Sequence, residues 1–410
     1  MAMSEWRSRF GSLTVAMVLM LLIGGIQQAG AQQAGQTLKI GVLTFRSGPL
    51  APIGEEIYTG TQTAVSMYGP VLGRAVELVV EDSLANAQMA VTKATKLVEQ
   101  QQVVAILGTS TVESLALTPV ADRLRVPIIT SNTGAGAITR EKCNKWVFRT
   151  NPEEYMGVSA LKQLIAKNPQ LQSAKWFTLG SDYPWSRLVA GAVKGVPGLS
   201  YVGEAFAPAD TTDWAPFVAR ARSERATALV IPVLLGTPLL QFIQQATEFG
   251  LTKEAVLVAP IGLPDWTVEK LGPNVLRVIS TSWGAWRYEE REPMARQFNE
   301  MYYKMHGRVA GMQAIQAGTA TLMLFTAIAK AGSTDGSAIV QALESVEVRT
   351  PVGMVRFQPR GRQAETPIFL GPYEQLKEPK YGAKFAQRID DVLAASKTLV
   401  SAQESGCVLK

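Results

Sequence analysis

The sequence predicts an α/β fold built as two lobes, and three observations point to it. Short apolar runs alternate with helical patterns through the first part of the chain. An extended stretch ended by proline, Trp146-Val147-Phe148-Arg149-Thr150-Asn151-Pro152, interrupts that rhythm before a second series begins. The length, 410 residues of which 47% are hydrophobic, exceeds what a single core comfortably organises.

Residues 1–31 read as a secretory leader. Arg7 and Arg9 precede an uncharged apolar run, 13–26, that leads to Ala29-Gly30-Ala31, a small-x-small cleavage pattern. The run is shorter than the roughly twenty residues that span a bilayer, so an uncleaved anchor is the weaker alternative. With no cysteine at the cleavage site, attachment of a lipid there is not expected.

Beyond the leader, residues 38–44 read as a buried strand and 53–68 as a helix after a Ser-Gly-Pro loop. The unit recurs as strand 76–80 with helix 87–98, then strand 103–107 with helix 112–124, then strand 127–130. Such alternation builds a parallel sheet covered on both faces. The stretch 146–152 is an interdomain crossing. After it come strands at 175–179, 202–206, 228–233, 255–259 and 277–282, with helices at 156–166, 185–193, 214–222 and 238–249, the last stopped by Gly250. From about Gly284 the pattern turns helical (292–305, 312–330, 338–343), and strand-like pieces follow at 352–357 and 367–370. A chain that returns in this way crosses between lobes more than once. The crossings form a hinge, and ligands in such sheets bind at the carboxyl ends of the strands. The expected division is 32–150 with 284–360 as one lobe and 151–283 with 361–410 as the other.

The formal net charge of +6 falls by one when the leader, with Arg7, Arg9 and Glu5, is removed. The remaining charge is spread, with no run dense enough to track a phosphate backbone, so a nucleic-acid partner is not expected. Two cysteines, Cys143 and Cys407, would pair in an oxidising compartment, and two independent buried thiols are the alternative.

Several pieces in order carry a family likeness: Ile40-Gly41-Val42 running into Ser47-Gly48-Pro49, Glu81-Asp82, Ile106-Leu107-Gly108, Val126-Pro127-Ile128-Ile129, Val147-Phe148-Arg149-Thr150, Thr212-Asp213-Trp214, Glu248-Phe249-Gly250-Leu251, Ala331-Gly332 and Thr350-Pro351-Val352-Gly353-Met354-Val355-Arg356-Phe357. In order and spacing they resemble the type I periplasmic substrate-binding proteins of ABC transporters, in the branched-chain amino-acid (Leu/Ile/Val-binding) family. The resemblance implies a monomeric periplasmic receptor that closes two lobes on a small molecule by hinge motion and presents it to a permease in the inner membrane. It implies no covalent chemistry and no cofactor. The same fold feeding a signalling receptor is the alternative.

The resemblance also points to site residues. The family's first carboxylate-binding loop maps onto Gly108-Thr109-Ser110-Thr111-Val112, where Ser110, Thr111 or backbone N–H groups would take the place of the family's hydroxyl at Val112. Ordinary helix capping is the plainer reading of Thr111. The second loop maps onto Ser131, Asn132 and Thr133, followed by Gly134 and Ala135, and a polar turn is the alternative there. In the other lobe the ligand-facing tyrosine carries over to Tyr183. Trp185 would add an aromatic wall, or would pack on its own lobe. Gly236, with Thr237, matches a further cleft loop. Where amino-acid-binding members carry a glutamate for the ligand's ammonium group, this chain has Ile261, which disfavours an ordinary α-amino acid. The expected ligand is therefore a carboxylic acid or amide with an apolar body, with Trp283 and Trp286 as neighbours. Asp265 would restore the charge under a shifted register, which keeps a true branched-chain amino-acid binder open. Arg46, beside Ser47 in the first loop, is a candidate partner for a ligand carboxylate, against the commoner case of a solvated loop arginine.

An enzyme is not expected. His306 is the only histidine and falls in a helical pattern with Tyr302 and Tyr303. The chain contains no phosphate loop, nucleophile elbow or two-histidine metal motif, and no metal site of clustered His and Cys.

Overall fold

The computed structural model describes residues 37–48, 50–208, 210–232, 237–358, 361–401 and 403–409. The leader read over 1–31 and Gly236 lie outside these residues, as does the side chain of Trp185.

β1 (Leu38–Thr44), β2 (Val76–Asp82), β3 (Ile106–Leu107), β4 (Ile128–Thr130) and β5 (Val147–Arg149) form a parallel sheet in the order β2-β1-β3-β4-β5. The helices α1 (Ala51–Tyr68), α2 (Ala87–Thr95) and α3 (Thr111–Leu117) connect its first four strands. The helix expected over 112–124 is broken. Pro119 lies in a 3-10 turn, Thr118–Val120, that separates α3 from the short turn Ala121–Leu124.

The second sheet begins with β6 (Lys175–Ser181), β7 (Ser200–Ala207), β8 (Ala228–Val230), β9 (Val256–Ala259) and β10 (Val278–Ser282), parallel in the order β10-β9-β8-β6-β7. The longer helices that accompany it are α4 (Glu154–Lys167), α5 (Pro184–Lys194), α6 (Ala215–Ser223), α7 (Thr237–Glu248) and α8 (Asp265–Leu271). The chain then adds α9 (Pro293–His306), α10 (Met312–Ala331), α11 (Gly336–Leu343) and the hairpin β11 (Glu347–Thr350) with β12 (Gly353–Arg356). The short piece expected at 367–370 is the start of β13 (Ile368–Lys380), which runs antiparallel to β10 and carries β14 (Ala383–Gln387) and β15 (Asp391–Leu393). The second sheet is therefore parallel up to β10 and antiparallel beyond it.

Two principal cores follow. Ile40, Leu43, Ile106, Ile128 and Phe148 of the first sheet pack with Phe298, Phe325, Val355 and Phe357 from the later helices and hairpin. Phe177, Leu229, Phe242, Leu257, Tyr373 and Phe385 fill the second. The chain thus passes between the sheets after β5, after β10 and again before β13. α10 is long and apolar enough to cross a membrane, yet its side chains are buried almost throughout within the fold. It lies directly on α1, where a Cβ on Gly60 would fall 2.2 Å from the Ala314 carbonyl oxygen, so the two backbones meet only because that residue is glycine.

Cys143 and Cys407 are bonded. The bridge returns the end of the chain from the second sheet to the segment just before β5, and Gln358 Nε2 donates to the Val400 carbonyl at 3.3 Å on the way.

Candidate ligand cleft

A cleft opens where the carboxyl ends of the two sheets face each other. Ser110 and Asn132, at the ends of β3 and β4, are bridged to each other in parallel and bring the two first-lobe loops side by side. Thr111 and Gly134 continue that wall. The Gly134 N–H donates to Thr111 Oγ1 at 3.2 Å, which leaves the threonine proton free to point at a ligand. Phe45, Leu50 and Ile53, at the end of β1 and the start of α1, supply an apolar side. Tyr183, Ile261 and Trp283 come from the second lobe, and Met312 and Gln313 from the first turn of α10.

The polar groups behind Ser110 are matched. Ser110 caps α3, and its hydroxyl and backbone N–H both donate to the buried Glu113 carboxylate, which also accepts from Ser83 Oγ at 2.5 Å. The Tyr183 phenol reaches the Ser110 hydroxyl across the cleft. Burial, with Glu113 nearby, pushes its pKa up to about 12, so it stays a neutral donor. Asn132 makes no side-chain hydrogen bond within the described residues, so its amide is available to a ligand.

Of the residues singled out in the sequence, Ser110, Thr111, Asn132, Tyr183 and Ile261 share this one cleft, with Trp283 beside them. Others lie elsewhere. Arg46 pairs with Glu55 at 2.6 Å and stacks on Tyr58, and Ser47 Oγ donates to Asp82 at 2.6 Å, so both serve the loop's own surface. The Thr133 hydroxyl is consumed in a buried cluster with Thr130 and Ser114, each 2.6 Å away, and its N–H donates to Asn151. Ser131 is buried behind the loop, and Val112 lies outside the lining. Trp286 lines a neighbouring small cavity.

Asp265 lines that neighbouring cavity too, not the cleft. Its carboxyl takes the Met312 backbone N–H at the start of α10, while Glu56 from α1 takes that of Gln313. A Cβ on Gly311 would lie 2.3 Å from both Glu56 oxygens, so a larger residue there would displace that carboxylate. Burial holds both carboxyls above the usual range, and Glu56 is pushed up to about 7. Phe45, Leu50, Ile53, Met312 and Gln313 were not anticipated as lining residues. Met312 and Gln313 read as the opening of an apolar core helix, and only the position of its first turn between the lobes exposes them to the cleft. Among the described residues, no group of three or more His, Cys, Asp or Glu side chains is placed to hold a metal ion.

Two sheets facing across a cleft, joined by several crossings, define a two-lobed solute receptor. The chain belongs to the periplasmic binding protein family, whose model matches residues 37–377. Its relatives and structural neighbours include Leu/Ile/Val-binding protein homologs and substrate-binding proteins of ABC transporters. It is 26% identical over 347 residues to the Leu/Ile/Val-binding protein homolog 7 of Brucella abortus (strain 2308), covering 78% of this chain and 84% of that protein. Among solved structures, an amino acid ABC transporter substrate-binding protein from Pseudomonas fluorescens Pf-5 superposes with a TM-score of 0.81 at 19% identity, covering 91% of this chain and 99% of that one. A solute-binding protein from R. palustris in complex with 4-hydroxybenzoate superposes with a TM-score of 0.78 at 22% identity, covering 87% and 97%. At these identities the structural likenesses speak for the fold.

Proposed function

We propose that this chain is the periplasmic receptor for a small monocarboxylic acid or its amide, with an apolar and preferably aromatic body, and that it delivers this solute to an inner-membrane ABC permease. The carrying observation is the chemistry of the cleft. Phe45, Ile53, Ile261, Trp283 and Met312 surround a few neutral polar groups, and among the described residues no acidic side chain lines it. A buried ammonium group left without a counter-charge costs several kcal/mol, whereas a carboxylate is served by the Thr111 hydroxyl and the Asn132 amide. The complex of the R. palustris protein with 4-hydroxybenzoate is in keeping with such a ligand.

In this reading the mature protein begins near Gln32 and acts as a monomer. Its lobes comprise 32–150 with 284–360 and 151–283 with 361–410. Ligand binds by stabilising the closed form, and the permease reads that form.

The test is a thermal-shift and calorimetric screen of the purified mature protein against benzoates, aliphatic carboxylates, amides and amino acids. Ligand at a hundredfold excess over its Kd adds about 2.7 kcal/mol of stability. Shifts with carboxylates or amides, and none with leucine, are expected. Binding of leucine alone would overturn the reading and restore an amino-acid receptor.

A further inference from the structure

The side-chain oxygen of Gln313 is buried and has no hydrogen-bond partner among the described residues, although the residue lines the cleft and is only 4% exposed. An amide acceptor stripped of water and left unpaired costs about 1–3 kcal/mol, and buried polar groups in native folds are nearly always satisfied. The fold holds this one in place. The Gln313 backbone N–H is taken by Glu56, α10 is fixed on α1 at Gly60, and the neighbouring Met312 is fastened to the second lobe by the Trp283 N–H, 3.4 Å from its Sδ. One turn further on, Gln316 Nε2 donates to the Trp283 carbonyl at 2.5 Å, which steadies the aromatic wall. Gln313 comes from a different element than the Thr111 and Asn132 donors.

We propose that Gln313 is a specificity residue that accepts a hydrogen bond from a hydroxyl on the ligand's body, so that the preferred solute is a hydroxylated monocarboxylate. The assignment rests on the carboxylate reading above and adds a second polar contact to it. An unsubstituted acid leaves the amide unpaired. A hydroxylated one satisfies it and gains the discrimination that a site built around a buried hydrogen-bonding group can exert.

The experiment is calorimetric titration of the full mature protein with benzoate, 3-hydroxybenzoate, 4-hydroxybenzoate and 4-methoxybenzoate, and of the Gln313→Met variant with the same four acids. At least one hydroxybenzoate is expected to bind about tenfold or more tightly than benzoate, and the methoxy acid, which has no donor, no better than benzoate. In Gln313→Met that preference should collapse, whereas loss of a merely structural residue would change the Kd values of all four acids alike and leave the preference in place. Equal binding of all four acids by the native protein, or a preference that survives in Gln313→Met, overturns the assignment and leaves the carboxylate reading standing. Failure of every carboxylate, aromatic or aliphatic, overturns both.

Discussion

The buried Arg149 guanidinium donates through Nε to Gln363 Oε1 at 2.5 Å, which joins two passages of the chain between the lobes that lie 214 residues apart in sequence. The backbones are paired at the same point, with the Arg149 N–H on the Arg362 carbonyl at 3.0 Å and the Ala364 N–H on that of Arg149 at 2.8 Å. The remaining guanidinium nitrogens go to the Ala135 carbonyl and the Thr139 hydroxyl. This junction is where the hinge strands are held in register.

Gln363→Leu should therefore cost about 1.5–3 kcal/mol, because it leaves a buried charged donor without its acceptor. Urea unfolding of native and variant protein measures the difference, and an unchanged midpoint would contradict the role given to the pair.

Stability should fall as pH rises from about 4.5 to above 7. Burial raises Glu56 and Glu153 to about 7 and raises Glu154 and Asp265 as well, so the folded chain holds protons that the unfolded chain releases near 4.5. A carboxyl raised on folding stabilises most below its unfolded pKa, and that contribution is lost as pH climbs through the folded value, on the order of 3 kcal/mol for a group like Glu56. Arg308, Asp265 and Tyr302 face Glu56. His306, held below its ordinary value by burial, works in the opposite sense and loses stability as pH falls. Melting curves at pH 5.5 and 8.5 should show the lower Tm at 8.5, and Glu56→Gln should shrink the gap. Equal slopes in the two proteins would mean that Glu56 does not carry the effect.

The Cys143–Cys407 bridge spans 264 residues of sequence. Closing so long a loop restricts the unfolded chain by on the order of 5 kcal/mol in the chain-entropy view. Cys407→Ser should lower Tm by several degrees, and reductant should do the same to the native protein but not to the variant. A reductant-insensitive Tm in the native protein would remove the bridge from the account of stability.

Ile261→Glu places a carboxylate on the apolar wall of the cleft. Binding of a monocarboxylate should weaken at least tenfold through repulsion and desolvation. Titration with benzoate and with leucine reads both the loss and any new affinity for an ammonium group. An unaltered ligand profile would take Ile261 out of the site.

Much of the lobe architecture was legible because it is local. Alternation of buried strands with helical periodicity is written in consecutive residues, and the loops after β3, β4 and β6 follow from it; it was the family resemblance that then pointed to Ser110, Thr111, Asn132 and Tyr183 within those loops. What tertiary structure decided is which way each loop side chain turns. Thr133 differs from Asn132 by one position, yet its hydroxyl is drawn inward by Thr130 and Ser114, while Arg46 and Ser47 are claimed by Glu55 and Asp82 on neighbouring elements. The same holds for Asp265, spent on the Met312 N–H, and for Met312 and Gln313, whose periodicity is that of a core helix. Their exposure to the cleft follows from where α10 begins, between the lobes. Side-chain direction at such a junction is set by contacts between residues hundreds of positions apart, and no local pattern records those.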